Sequence, residues 1–368
     1  MELDVIKNRV IGSMIGGAIG DAMGYQIEFE RGIKEREVTE YKNDFGKISD
    51  DTQMSLFTAN AIIWASTRFS LRGIGPNLEH AIHESYLDWL DTQCGKEHDT
   101  EYMRSWIKDV NGLKVCRAPG NTCLSALSSG KIGSISKPIN DSKGCGGIMR
   151  VAPIGLSFDL ERSMVGDIAA MSNAITHGHP LGIISSYIFA VMINYIVYDE
   201  MDIETALNKS IDYYKNNGSG ICDKENEKIF FDLISKAIEL SKKNISDVDA
   251  IRELGEGWVA EEALAIAIYS CFKHKNSFID AIICSVNHDG DSDSTGSICG
   301  NIMGAFFGYS SIPEYYVNNL ELNDLIYEIA FDLATRCPLD EYKPIGENDK
   351  WYKKYAVCKY DFYGEKDN

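Results

Sequence analysis

The chain has 368 residues and a mass of 41.0 kDa; 44% of its residues are hydrophobic and only 8 are proline. That is enough apolar material for a large core and excludes a disordered chain. A formal net charge of −19 and a pI near 4.8 argue against nucleic acid or an anionic membrane as partners. An anionic small ligand would need local cations or backbone amides to neutralise it.

Residues 5–23 open the chain with apolar pairs spaced by four to five residues, which predicts a buried helix. Gly12, Gly16, Gly17 and Gly20 lower helix propensity there, and so suggest close packing against another helix or a ligand. Helical patterns recur over 53–66, 78–91, 121–128, 161–175, 181–197, 203–215, 226–242, 259–272, 277–285, 297–307 and 322–335, while strand-like alternation is scarce. The expected architecture is all-α: a compact, orthogonal multi-helix single domain over 1–340. Beyond Pro338 the composition turns to Lys, Tyr and acidic residues, so 341–368 reads as a surface extension. Residues 244–258 read as a functional loop ending in Gly255-Glu256-Gly257-Trp258.

The N-terminus shows neither a basic region nor a cleavage site, so no signal peptide is expected. The stretch Tyr187 to Tyr198 is the most apolar, yet it is broken by Asn194 and shorter than the roughly 20 residues a bilayer span needs, which makes it a core helix. The 10 cysteines are scattered without a C-x-x-C pair, as expected of reduced thiols in a cytoplasmic protein.

Two acidic clusters carry the chemistry. Ser49-Asp50-Asp51-Thr52 and Asp291-Ser292-Asp293-Ser294 each precede a helical run and offer only oxygen donors, which suits Mg²⁺ or Mn²⁺ rather than Zn²⁺. Either cluster alone is also a normal helix cap. If the two meet in space, the carboxylates need cations or protons between them, and two divalent ions fit best. Glu28, after the helix that ends near Gly24, is either a surface carboxylate or a further contributor reaching the metal site from a loop.

The run Lys143-Gly144-Cys145-Gly146-Gly147-Ile148 can turn successive N–H groups toward one point, as an anion-binding nest, or can be an ordinary tight turn. Cys116 to Thr122 and Thr176 to Pro180 have the polar, small-residue character of ligand-facing loops. His177 there suits hydrogen bonding better than ligation, and His179 a structural role.

In this order, Gly20-Asp21-Ala22-Met23-Gly24 with Glu28, Ser49 to Thr52, Arg117-Ala118-Pro119-Gly120, Gly144 to Arg150, Thr176-His177-x-His179-Pro180 and Gly290 to Thr295 resemble the ADP-ribosylglycohydrolases, over about residues 8 to 335. The resemblance implies a dinuclear Mg²⁺ site, Mn²⁺ being the other option, at the base of a cleft. Its implied ligands are Ser49, Asp50, Asp51, Asp291, Asp293 and Ser294, with Asp293 touching both ions. Glu28 matches a glutamate near the metals and the distal ribose. Gly144, Cys145, Gly146, Gly147 and Ile148 match the segment that wraps the diphosphate, His177 a residue near the ribose, and Trp258 a residue beside adenine. Asp289 departs from the pattern by adding a fifth carboxylate.

The implied reaction is hydrolysis of the N-glycosidic bond joining ADP-ribose to a protein arginine, with Asp50 or Asp51 as base or proton relay and Glu28 beside them. O-linked ADP-ribose, on serine or as an acylated ADP-ribose, is the alternative substrate. A non-catalytic ADP-ribose-binding protein is the alternative class. The implied partners are ADP-ribosylated protein, the product ADP-ribose and, if the chain acts as an immunity protein, a cognate ADP-ribosyltransferase.

Overall fold

The computed structural model describes residues 3–30, 37–75, 77–95, 97–98, 105–218, 220–340, 342 and 349–356. Sixteen α-helices are present among them. The first four are α1 (Leu3–Tyr25), α2 (Asp50–Arg72), α3 (Leu78–Cys94) and α4 (Asn121–Ser128). Next come α5 (Ala152–Leu156), α6 (Arg162–Ala174), α7 (Pro180–Tyr198) and α8 (Ile203–Asn217). They are followed by α9 (Lys224–Ser241), α10 (Asp247–Leu254), α11 (Ala260–Lys273) and α12 (Phe278–Val286). The last four are α13 (Ser292–Phe307), α14 (Glu314–Asn318), α15 (Asn323–Leu333) and α16 (Lys350–Tyr355). Extended pairing among the described residues is limited to isolated bridges such as Gly144 with Val259, so the all-α expectation holds.

Two helices form the axis. α1 and α13 run antiparallel with glycines facing glycines: a Cβ at Gly12, Gly16 or Gly20 would fall 2.4, 2.4 or 1.9 Å from the carbonyl oxygen of Gly304, Gly300 or Gly296. At Gly24 it would fall 2.1 Å from the carbonyl oxygen of Ser292. Only glycine lets the backbones come this close. The glycines recur every fourth residue and so share one face of each helix. The neighbour anticipated for Gly12 to Gly20 is therefore a helix, not a ligand.

α7 is buried along nearly its whole length. Its one strongly polar interior residue, Asn194, is satisfied by donating to Gly155 O at 3.1 Å and accepting from Arg162 Nε at 2.8 Å. A long apolar helix enclosed in this way is a core element.

Four helices escape the sequence pattern: α5, α10, α14 and α16, of eight residues or fewer. α10 corrects the reading of 244–258 as one loop; Ser246 caps it, and Ala250, Ile251 and Leu254 form its buried face. α16 corrects the reading of the C-terminal stretch as surface. Its Trp351 donates to Thr67 Oγ1 at 2.8 Å, and its fully buried Tyr355 donates to Asp332 Oδ2 at 2.7 Å. Most of the remainder of 341–368 lies outside the described residues.

Candidate metal centre

The two acidic clusters lie within electrostatic reach of one another, Asp293 acting on both Asp50 and Asp51, and Asp21 of α1 ties the start of α2 to the α1–α13 seam. α2 and α13 start earlier than apolar periodicity indicates, so Asp50 and Asp51 occupy the first turn of α2. Asp291 is the N-cap of α13, and Asp293 and Ser294 lie in its first turn. The carboxylates thus project from helix N-termini, where the backbone dipole and free N–H groups favour negative charge. Both readings of the clusters apply together: Ser49 Oγ accepts from Asp51 N at 3.2 Å, and Asp291 Oδ1 from Ser294 N at 3.3 Å.

Glu28 sits just past α1 and turns back onto α13. One carboxylate oxygen from each of Glu28, Asp291 and Asp293 lies within 4.8 Å of the others, and all three residues are buried. Burial, followed by Asp293, Asp291 and Asp50, pushes the Glu28 carboxyl up to about 10. Burial and then Asp293 raise Asp50, Asp51 and Asp291 well above the usual carboxylate range. Asp51 Oδ2 and Glu28 Oε2 are enclosed without a hydrogen-bond partner. Crowded, desolvated carboxylates with unspent oxygens are the environment a hard cation relieves.

Asp21 is the residue that sequence reasoning missed. It is fully buried in α1 next to Gly20, and both its oxygens accept from Ser49 N at 3.0 Å. It also accepts from Thr52 N at 3.1 Å and from the Thr52 hydroxyl. Asp21 therefore caps α2 from another helix and fixes where Asp50 and Asp51 stand. Burial and Asp293 raise it to about 7 against the pull of those hydrogen bonds. The available signal was a lone carboxylate on a helix whose every nearby position reads as buried, a group that needs partners.

The remaining predicted segments surround this centre. Gly120 N donates to Asp50 Oδ2 at 3.2 Å, so the Cys116–Thr122 loop touches the site through its backbone. Arg117 turns away to pair with Glu321 and bond Ile48 O at 2.9 Å, bracing the strand of chain that enters Ser49. Cys145 Sγ donates to Asp291 Oδ2 at 2.6 Å, which brings the glycine loop to the carboxylates.

That loop is not a nest. No residue of Gly144 to Ile148 has positive φ, and Cys145 N is taken by Trp258 O, Ile148 N and Met149 N by Cys145 O. Its glycines serve close approach: a Cβ at Gly147 would lie 1.8 Å from Asn173 Oδ1. His177 backs the loop, 3.3 Å through Nε2 from where a Gly144 Cβ would stand, and shares a 2.8 Å hydrogen bond with Thr176 Oγ1. Burial and the nearby Arg150 lower it to about 3, so it is neutral. His179 caps α7, accepting from Leu181 N at 3.1 Å.

Trp258 is 40% exposed and stacks on Phe29, 71% exposed, with ring centroids 6.5 Å apart. Phe29 is the chain neighbour of Glu28. The Trp258 loop is tied to α13 by Asp291 N donating to Glu256 O at 2.8 Å. Asp289 is exposed, apart from the buried carboxylates. A separate cavity of about 890 Å³ lies against the far end of α2, beside Phe69, Met164 and Arg336, away from these groups.

The family model described as ADP-ribosylglycohydrolase matches residues 2–342. The chain belongs to the ADP-ribosylglycohydrolase family. Among curated proteins it is 25% identical over 323 residues to an uncharacterized protein of Archaeoglobus fulgidus, covering 87% of this chain and 94% of that one. It is 23% identical to ADP-ribosylhydrolase ARH3 of Xenopus tropicalis, with 83% of this chain and 89% of that protein covered. It is 25% identical to ADP-ribosylarginine hydrolase Tri1 of Serratia proteamaculans, with 91% and 81% covered. A solved structure titled ADP-ribosylglycohydrolase-related protein complex superimposes with a TM-score of 0.62 over 91% of this chain and 99% of that chain, at 19% identity. This last likeness establishes the fold of the family member.

Proposed function

We propose that the protein is a metal-dependent hydrolase that removes ADP-ribose from ADP-ribosylated protein, with arginine as the modified residue. The observation that carries this is the buried convergence of Glu28, Asp291 and Asp293 beside the unspent oxygens of Asp51 and Glu28, in a member of this family. The arginine linkage is supported by a relative named ADP-ribosylarginine hydrolase that aligns with 91% of the chain.

The oxygen-only donor set fits Mg²⁺, with Mn²⁺ as a substitute; Ser49, Asp50, Asp51, Asp291, Asp293 and Ser294 would hold two ions. When bound, such ions lower the pKa of a water molecule and orient ribose hydroxyls. The chain's own groups do the rest. Asp50 or Asp51 accepts the proton of the attacking water, Glu28 contacts the distal ribose, and the guanidine leaves with a proton. Cleavage passes through oxocarbenium character at the anomeric carbon, which nearby carboxylates stabilise. The turn Gly144 to Ile148, though it lacks the backbone of a nest, is the segment proposed to lie along the diphosphate; His177 holds that turn from behind, and Trp258 offers an exposed ring for adenine to stack on. The cytoplasm is the proposed compartment, supported by free thiols that include the exposed Cys94 and Cys116.

The test is release of ADP-ribose from arginine-modified protein, with serine-modified protein in parallel, with Mg²⁺ or EDTA, for the native chain and Asp293→Ala. Release from the arginine substrate alone, lost with EDTA and in the variant, is the expected result. Native turnover by Asp293→Ala at saturating Mg²⁺ would overturn the metal assignment, and release only from the serine substrate would overturn the linkage. Binding of ADP-ribose with no release from either substrate would make the chain a non-catalytic reader or an immunity protein for an ADP-ribosyltransferase.

A further inference from the structure

On a different side of the molecule, α10, α11 and α12 bring together three side chains of different chemistry. Asp247 opens α10, His274 is the C-cap of α11, and Cys284 lies in α12. His274 Nε2 and Asp247 Oδ2 are 2.9 Å apart, and one ligand atom from each of Asp247, His274 and Cys284 lies within 4.8 Å of the other two. Cys284 is buried, whereas the His274 and Asp247 side chains are 27% and 33% exposed, so the group opens to solvent on one side. α11 is 14 residues long, which puts His274 about 20 Å from the Trp258 end of that helix. None of the three serves the chemistry around Asp293.

We propose that Asp247, His274 and Cys284 form a second metal site, one that takes a borderline, thiophilic divalent ion of the Zn²⁺ class. Sulfur, imidazole and a single carboxylate are a donor set that Zn²⁺ accepts and Mg²⁺ does not, in contrast to the oxygen-only set around Asp293. The carboxylate and a thiolate together neutralise the ion. Binding breaks the Cys284 S–H bond, the proton leaves to solvent, and the sulfur electron pair forms the metal bond. His274 ligates as neutral imidazole, and the fourth position faces the open side, where water completes a tetrahedron.

Tyr269 supplies an outer contact. Its hydroxyl donates to Asp247 Oδ1 at 2.6 Å, which fixes the carboxylate and leaves Oδ2 facing His274. The Cys284 thiol interacts with Asp247 and Ser270, so the sulfur from a third helix already belongs to the same group as the Asp–His pair. Occupancy ties three helices, two of which lead onward: α10 runs into Gly255 to Trp258 and α12 into Asn287 to Gly290, the loops joined by Asp291 N and Glu256 O.

The experiment uses the full chain stripped with a chelator and titrated with Co²⁺, then Zn²⁺. A near-ultraviolet sulfur-to-cobalt charge-transfer band is expected. It persists in Cys145→Ser, which removes the sulfur beside Asp291, and disappears in Cys284→Ser and His274→Gln. The native chain binds one more Zn²⁺ than His274→Gln and releases one proton with it. At a hundredfold excess of Zn²⁺ over Kd, this site adds roughly 3 °C to Tm in the native chain, an increment that His274→Gln lacks. Near-ultraviolet circular dichroism of the metal-free variants checks their folding. Should Cys284→Ser not fold, the partly exposed His274→Gln decides. Absence of the band in the native chain, or its survival in His274→Gln, overturns the site. Neither readout depends on hydrolysis of ADP-ribose, so failure here leaves the proposed activity standing, and the reverse also holds.

Discussion

Gly20→Ala is the sharpest test of how the α1–α13 seam builds the candidate metal centre. The added Cβ would lie 1.9 Å from Gly296 O and 2.3 Å from its carbonyl carbon, where ordinary contact begins at 3.4 Å. The helices must therefore part locally by about 1.5 Å, because both clashing atoms are backbone and no rotamer can yield. Alanine gains about 1 kcal/mol of helix propensity over glycine. Overpacking costs about 1–3 kcal/mol where side chains can adjust, and more where backbone must move, as contacts at Gly16 and Gly24 are lost too. A net destabilisation of at least about 2 kcal/mol is expected in urea unfolding. Asp21 adjoins Gly20, and Asp293 lies one turn before Gly296, so Mg²⁺ affinity, read from thermal shifts, should fall as well. Gly75→Ala is the control: its nearest neighbour is Phe69 Cδ2 at 3.8 Å, and stability should stay within about 0.5 kcal/mol. A native unfolding midpoint and native Mg²⁺ response in Gly20→Ala would refute the argument.

Asp21→Ala removes the acceptor for Ser49 N, Thr52 N and the Thr52 hydroxyl; a loss of about 1–3 kcal/mol in unfolding free energy is expected. ADP-ribose release should slow about tenfold or more as Asp50 and Asp51 lose their placement; unchanged turnover would deny Asp21 a positioning role. Mg²⁺ added to chelator-treated protein should raise stability by about 2.7 kcal/mol at a hundred times Kd, and thermal scans of Asp293→Ala should show most of that gain missing. Burial holds His83 at about 4 and His177 at about 3, below the ordinary 6.5. The unfolded chain therefore binds more protons below pH 6.5, so this contribution is full above that pH and is lost as pH falls toward 4. Each histidine adds a slope of about 1.4 kcal/mol per pH unit. Urea titrations from pH 7 to 4.5 should show His83→Gln with the shallower dependence.

Much of the fold is legible in local pattern. Long helices announce themselves because their buried faces repeat over many turns, as in α1, α7 and α11. α5, α10, α14 and α16 are too short for the repeat to accumulate, and their stability comes from packing. The starts of α2 and α13 escape the pattern for a related reason: their first turns face one another's carboxylates, so they carry Asp, Ser and Thr where periodicity looks for apolar residues. The donor atoms are legible too, since Asp50, Asp51, Asp291, Asp293, Ser49 and Ser294 carry oxygen alone, whereas the placing of Cys145 Sγ against Asp291 Oδ2 is not.

What the sequence determined by itself, then, is an acidic, helical chain with glycines at four-residue spacing and two sets of hard donors 240 residues apart. Tertiary structure decided that those glycines face one another across antiparallel helices, that Asp21 holds the start of α2, that Glu28 folds back onto Asp291 and Asp293, and that Asp289 stays outside. It also joined Asp247, His274 and Cys284. Distances between residues remote in sequence depend on how whole helices dock, and the docking is set by backbone contact along α1 and α13, which no local window of sequence contains.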